Sequence, residues 1–343
     1  MKSKVFILYT GGTFGMKKTK NGLVPSSWEE IITYLPAIKN QTYFDFFSNI
    51  EFTFETLSTV VDSSDMNPEI WESIAKKIYA IYANYDGFII LHGTDTLAYS
   101  ASALSFMFNH LNKPIVLTGA QLPIFHPRTD GIVNLSNAIY IAGYASFNIT
   151  CIPEVCICFN DDVLRGNRSV KTSTNDFEGF SSPNYENLAH LEHDIHINNH
   201  ILNPKTTKKL ELLHLFSSRV VNVTIFPGYN AAPLIDLVNQ KKLEGIVLKT
   251  YGSGNLPKTR QWRDLIIACE KNKTLVLATT QCPNGKIEIG QYASSEVLIS
   301  ENVVDGKDIT SEAALTKLMW VIGNYSYEER HKILSNNIRG EMT

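Results

Sequence analysis

Runs of apolar, β-branched residues recur along the chain, separated by stretches with helical periodicity. Four lie in the first half, KVFILY, GFIILH, KPIVLTG and EVCICF, and three in the second, VVNVTIFPG, EGIVLKTYG and KTLVLATTQ. Strands that alternate with helices predict parallel sheets built from right-handed βαβ units. The clearest helix follows Asn67-Pro68: asparagine is a good cap, proline suits the first helical position, and Ile70, Trp71, Ile74, Ala75, Ile78 and Ile81 share one face. That stripe reads as core rather than as a cofactor contact.

The periodicity fades in IHINNHILNPKTTKKLE, which starts at Ile195 and where Asn-Pro and a lysine pair accumulate. A linker over 196–215 is expected there, between an N-terminal domain of residues 1–195 and a C-terminal domain of residues 216–343. The fold class expected is α/β in two unequal domains, a larger N-terminal parallel-sheet domain and a smaller C-terminal domain of flavodoxin or Rossmann type. No short-period repeat and no low-complexity segment interrupts this layout.

Composition narrows the partners. The chain has 343 residues, 44% of them hydrophobic, and a formal net charge of -3. No basic stripe interleaved with aromatics marks a nucleic-acid track, so a small-molecule partner is expected. No apolar run approaches the roughly 20 residues of a membrane span, and MKSKVFILYTGG is too short in apolar residues for a signal peptide, which predicts no membrane partner and a cytoplasmic location. Five cysteines without CxxC spacing indicate neither a disulfide framework nor a zinc site.

Ligands of open parallel sheets bind beyond the carboxyl ends of the strands, where helices begin. Four segments with reactive groups fall at such ends: YTGGTFGM with Thr13, VDSSDM over residues 61–66, HGTDT with Thr94 and Asp95, and TGAQLP over residues 118–123. Each has a bland reading as a turn or a helix cap; hydroxyls and carboxylates gathered at one sheet edge favour a site. GGTFGMKKTK fits neither GxxxxGK[ST] nor GxGxxG, so Lys17, Lys18 and Lys20 read as a solvated face and not as a phosphate cradle. The four histidines of HLEHDIHINNH read as loop and strand residues, and no metal is expected. A threonine hydroxyl used as a nucleophile needs a base and donors for the oxyanion. A lysine held neutral by burial and neighbours, positioned by a carboxylate, can act as that base, and RGNRSVKTSTNDF supplies the candidate Lys171.

TGGT, VDSSDM, LHGTDTLAYSASALSF, RGNRSVK and EAALTKLMW together closely resemble the bacterial cytoplasmic type I L-asparaginases, over nearly the whole chain from YTGGT to IRGEMT. The resemblance implies an amidohydrolase that converts L-asparagine and water to L-aspartate and ammonia without metal or organic cofactor, with weak glutaminase activity as an option. Thr13 would attack the side-chain amide and carry the acyl group. Thr94, Asp95 and Lys171 would form a second triad, and Asp62, Ser63 and Ser64, with Thr94 and Asp95, would hold the substrate's α-carboxylate and α-amino groups. The resemblance also implies a homodimer or homotetramer and a second, regulatory asparagine site in the first domain near its boundary with the second. At the matching positions Asn255 and Cys282 are kept, Lys249 stands where arginine is usual, and Val170 where threonine is usual. Leu23 occupies the place of a loop tyrosine that usually hydrogen-bonds the nucleophile.

Two other readings compete. A non-catalytic or weakly catalytic asparagine sensor is motivated by Leu23, although a pure binder has no use for a lysine base. The ammonia-supplying subunit of a tRNA-linked amide transferase shares TGGT and HGTDT, but an extra module would have to precede TGGT, which begins at Thr10.

Overall fold

In the computed structural model, which describes residues 2–20, 22–27, 29–31, 47–291 and 293–343, the apolar runs of the first half become the centre of an eight-stranded sheet. Strands β1 (Ser3–Gly11), β2 (Ile50–Val61), β3 (Gly87–Leu91), β4 (Ile115–Thr118) and β5 (Val155–Phe159) are parallel and lie in the order β2-β1-β3-β4-β5. Three short antiparallel strands extend the β5 side: β6 (Asp162–Arg165), β7 (Ala189–Leu191) and β8 (Ile195–Ile197). Every residue of β3, β4 and β5 is buried, which is why these segments carry no polar alternation.

Helices α1 (Pro68–Ile81), α2 (Leu97–Met107) and α3 (Gly131–Ala142) belong to the same unit, Met1–Leu212. In α1 the Asn67 side chain accepts the Ile70 N–H at 3.1 Å, and Trp71, Ile74, Ala75 and Ile78 are buried. Helix α2 is small and apolar nearly all round, and all its residues but Tyr99 are buried. The stretch expected to be a linker is partly built into this unit, since β8 forms the sheet edge and Glu211–Leu212 pairs with Phe108–Asn109.

The second unit, Leu213–Thr343, has its own core. Four strands, β9 (Val220–Thr224), β10 (Gly245–Thr250), β11 (Leu275–Thr280) and β12 (Val303–Asp305), form a parallel sheet in plain chain order. Helix α5 (Arg260–Asn272), which follows α4 (Ala232–Asn239), buries Trp262, Leu265, Ile266 and Cys269 against it.

The strand orders differ in one respect that matters for chemistry. In the first unit the sequence runs from β1 outward to β2 on one side and to β3 on the other, so the order reverses between β1 and β3. Successive crossovers leave a crevice at such a reversal, beyond the carboxyl ends of the strands. TGGT ends β1 and HGTDT ends β3.

Candidate active site

The β1 and β3 ends touch backbone to backbone. Gly12 has φ +84°, and a Cβ on it would lie 2.2 Å from the Gly93 Cα and 2.3 Å from the Gly93 nitrogen. A Cβ on Gly93 would lie 2.5 Å from the Ser63 Oγ. Both contacts are far below any van der Waals separation, so glycine is required at both positions for the turns TGGT, VDSSDM and HGTDT to meet. Side-chain bonds tie the same turns: Thr10 donates to the Leu91 carbonyl at 2.9 Å, and Thr96 donates to the Ser63 carbonyl at 2.7 Å.

This meeting point carries the sequence candidates. Thr13 opens a single 3-10 turn, Thr13–Gly15, and is partly exposed. Thr94 is buried, and its Oγ1 accepts from Lys171 Nζ at 2.9 Å. Lys171 Nζ also donates to Asp95 Oδ1 at 2.7 Å. Lys171 sits on the two-residue strand Val170–Lys171, held by pairing with Phe180–Ser181. Its side chain is 18% exposed, against 67% for Asp95. The ammonium end is thus sheltered on the Thr94 side while its carboxylate partner faces solvent. Asp62 caps the turn Ser63–Asp65, one carboxylate oxygen accepting the Ser64 N–H at 2.9 Å and the Ser64 hydroxyl at 3.0 Å. Ser63 is buried beneath that turn.

A layer behind the threonines was not anticipated from the sequence. His92 is fully buried, with Nδ1 2.7 Å from the Gly93 carbonyl and Nε2 2.8 Å from Ser100 Oγ, which also accepts the Trp71 indole N–H at 2.8 Å. A carbonyl only accepts, so Nδ1 carries the ring proton, and Ser100 must donate its own to Nε2. The chain Trp71–Ser100–His92 therefore fixes the Gly93–Thr94 peptide plane, with the Thr94 N–H turned away from the imidazole. The signal was the histidine that directly precedes Gly-Thr-Asp-Thr, together with an indole on an otherwise apolar stripe.

Burial pushes His92 down to about 4 from the usual histidine value of 6.5. The unfolded chain then binds more protons between those limits, so the His92 contribution is fully present above about pH 6.5 and is lost as pH falls toward 4. The expected cost is at most about 3 kcal/mol by pH 4, from 1.36 kcal/mol per pKa unit. Urea midpoints measured from pH 7 to 4.5 should fall in wild type and fall less steeply in His92→Gln.

The second-site positions Lys249, Asn255 and Cys282 all fall in the second unit, rather than in the first domain as expected; Val170 lies in the first unit. Lys249 is on β10, Asn255 bridges to Tyr251 and accepts from Ser294 Oγ at 2.5 Å, and Cys282 is exposed after β11. Gln281, just after β11, donates to the Lys249 carbonyl on β10 at 2.9 Å. Leu23 pairs with Lys18 in the hairpin of Met16–Thr19 and Gly22–Pro25. Of the four histidines, His190 faces His196 across β7 and β8 and pairs with Asp162 at 2.8 Å, while His193 and His200 are largely exposed. Among the described residues no group of three His, Cys, Asp or Glu side chains is placed to hold a metal ion, and no helix is long and apolar enough to cross a membrane.

An α/β unit that gathers hydroxyls, a carboxylate and a lysine at its strand-order reversal carries the components of a hydrolase site. Comparison with known proteins gives the family. Residues 4–203 match the model for the asparaginase N-terminal domain, and residues 219–334 match that for the glutaminase/asparaginase C-terminal domain. The chain belongs to the asparaginase family. It is 38% identical to L-asparaginase 1 of Escherichia coli K12, over 100% of this chain and 98% of that one. Its structure matches L-asparaginase I of Vibrio cholerae at a TM-score of 0.87, with 35% identity and full coverage of both chains. It also matches the thermostable L-asparaginase of Thermococcus kodakarensis at 0.86, with 29% identity and 99% coverage of both.

Proposed function

We propose that this chain hydrolyses L-asparagine to L-aspartate and ammonia in the cytoplasm, as a homodimer or homotetramer and without a cofactor. The observation that carries the reading is the Lys171 ammonium within hydrogen-bond reach of both Thr94 Oγ1 and Asp95 Oδ1, on the turn that touches Gly12. Full-length similarity to L-asparaginases supports the substrate.

In this reading the Thr13 oxygen adds to the side-chain amide carbon and loses its proton, the C–N bond breaks, and the nitrogen leaves as ammonia with that proton. An aspartyl ester of Thr13 remains. Water then adds to the ester carbon and the Thr13–acyl bond breaks, which restores the hydroxyl. Lys171, held by Asp95 and acting as the neutral amine, takes the Thr94 proton to become the ammonium, so that Thr94 or a water on it becomes the base or nucleophile of one half-reaction. Backbone N–H groups around Thr13 and Thr94 receive the oxyanion, a contribution typically worth about 3 kcal/mol per donor. Asp62, Ser63, Ser64 and Asp95 hold the zwitterionic end. Lys249, Asn255 and Cys282 form a second asparagine site that is weakened, since an ammonium lacks the bidentate fork of arginine.

The test is ammonia release across a range of L-asparagine concentrations, with L-glutamine in parallel. A hyperbolic curve with asparagine preferred is expected. Binding of asparagine without release would overturn the reading in favour of a sensor, and a sigmoidal curve would mean that the second site still regulates.

A further inference from the structure

The fourth strand-end motif, TGAQLP, has no part in the chemistry above, and the way it is held is unusual. Asp130 occupies the position before α3 where an aspartate normally caps its own helix, yet its side chain accepts no backbone N–H of α3. That duty passes to Thr129, whose Oγ1 accepts the Gly131 N–H at 3.0 Å. The buried Asp130 carboxylate instead accepts the Gln121 N–H at 2.9 Å and the Leu122 N–H at 3.0 Å, one on each oxygen. Asn134, one turn further along α3 and buried, donates to Asp130 Oδ2 at 3.1 Å and to the Gly119 carbonyl at 3.0 Å. The side chains of Asp130 and Asn134 thus fix three positions, 119, 121 and 122, of the loop that leaves β4.

That loop touches the chain near Thr13, Thr94 and Lys171. A Cβ on Gly119 would lie 2.3 Å from the His92 carbonyl. The Ile124 N–H donates to the carbonyl of Phe14, the neighbour of Thr13, at 2.9 Å. The Gln121 side-chain amide donates to the Asp176 carbonyl at 2.9 Å, on the segment that follows Lys171. The sheet order β2-β1-β3-β4 puts this loop on the far side of Thr94 from Asp62, Ser63 and Ser64.

We infer that Asp130, seconded by Asn134, is a positioning residue for amide hydrolysis: it sets the 119–122 loop as the wall against which the substrate's leaving group rests. The inference depends on the reading of the site given above, in which the zwitterionic end lies at Asp62–Ser64; with that end fixed, the side-chain amide on the other side of Thr94 is directed toward β4. Asp130→Asn keeps the shape but turns an amide N–H₂ toward a backbone N–H, so the loop cannot hold its register. Because the carboxylate touches neither substrate nor nucleophile, its effect is on geometry alone.

The experiment compares turnover of L-asparagine with that of L-aspartate β-hydroxamate, whose leaving group is bulkier at the end in question. Asp130→Asn should lower kcat for asparagine about 10- to 100-fold, the scale of a displaced reacting group. It should also shift the asparagine-to-hydroxamate ratio of kcat/KM about threefold or more toward the hydroxamate, as a loosened pocket does. Asn134→Ala, which leaves both backbone bonds to Asp130 in place, should shift the ratio in the same direction by less. A merely structural role would lower the folded fraction and scale both substrates equally. An unchanged ratio in both variants therefore overturns the inference, whatever happens to kcat. Thr13→Ala assayed alongside separates the two failures: if it still turns over asparagine, the reading of the site falls, and if it is inactive while Asp130→Asn keeps the wild-type ratio, the inference alone falls.

Discussion

Thr13→Ala should reduce ammonia release from L-asparagine by at least about 10³-fold, because a nucleophile acts as one member of a unit whose loss forfeits most of the chemistry. The fold should survive the change. Thr13 is partly exposed on a short turn, and the tight packing at this point is made by Gly12 and the buried Phe14. Surface substitutions of that kind usually stay within about 0.5 kcal/mol. Thr13→Ser, which restores the oxygen, should recover a large part of the rate. The pair of variants also decides between the two threonines: a Thr13→Ala enzyme that keeps more than about a tenth of wild-type kcat, well above what loss of a nucleophile leaves, would shift the covalent step to Thr94. Mass spectrometry of enzyme quenched during turnover gives an independent reading, since the ester should sit on the peptide that carries TGGT.

Lys171 offers the second large effect. Lys171→Met keeps an unbranched apolar stem, one atom shorter, but removes the donor to both Thr94 and Asp95, and kcat should fall about 10²- to 10⁴-fold, the usual share of a positioned acid–base group. Lys171→Arg is the sharper variant. It preserves the positive charge beside Asp95, yet a guanidinium does not give up its proton under any condition the protein survives. Equal losses in the methionine and arginine variants would mark proton transfer as the role. An arginine variant with near wild-type kcat would assign Lys171 to electrostatic support of the substrate instead.

Much of this arrangement was legible in the sequence because the central strands are buried on both faces and carry no competing signal. KVFILY, GFIILH and EVCICF could only be strands, and the Asn67-Pro68 start of α1 is visible as a cap followed by a residue that fixes φ. TGGT and HGTDT stood out because glycine at a strand end announces a sharp turn. What escaped was of two kinds. The antiparallel strands β6 to β8 are only three or four residues long, too short to show a period, and β8 is largely uncovered, so IHI was read at the start of a linker although it completes the sheet. Side chains that act across long separations left no local trace: Trp71 reaches Ser100 over 29 positions, and the ordinary appearance of Asp130 as a helix cap hid its bonds to a loop eight and nine residues earlier. Strand order, which puts β1 beside β3 and so creates the crevice, is a property of the whole sheet and is written in no single segment.

The glycine contact between the first and third strands has one more consequence. Residues 12, 63 and 93 are remote along the chain and interlock without room for a methyl group, so no partly assembled sheet can present both threonines in register. Catalytic competence therefore arrives only with the finished first unit, and it disappears as soon as that unit loosens. Turnover in denaturant would follow the cooperative melting of the sheet step for step, which makes this enzyme a direct chemical gauge of its own folding.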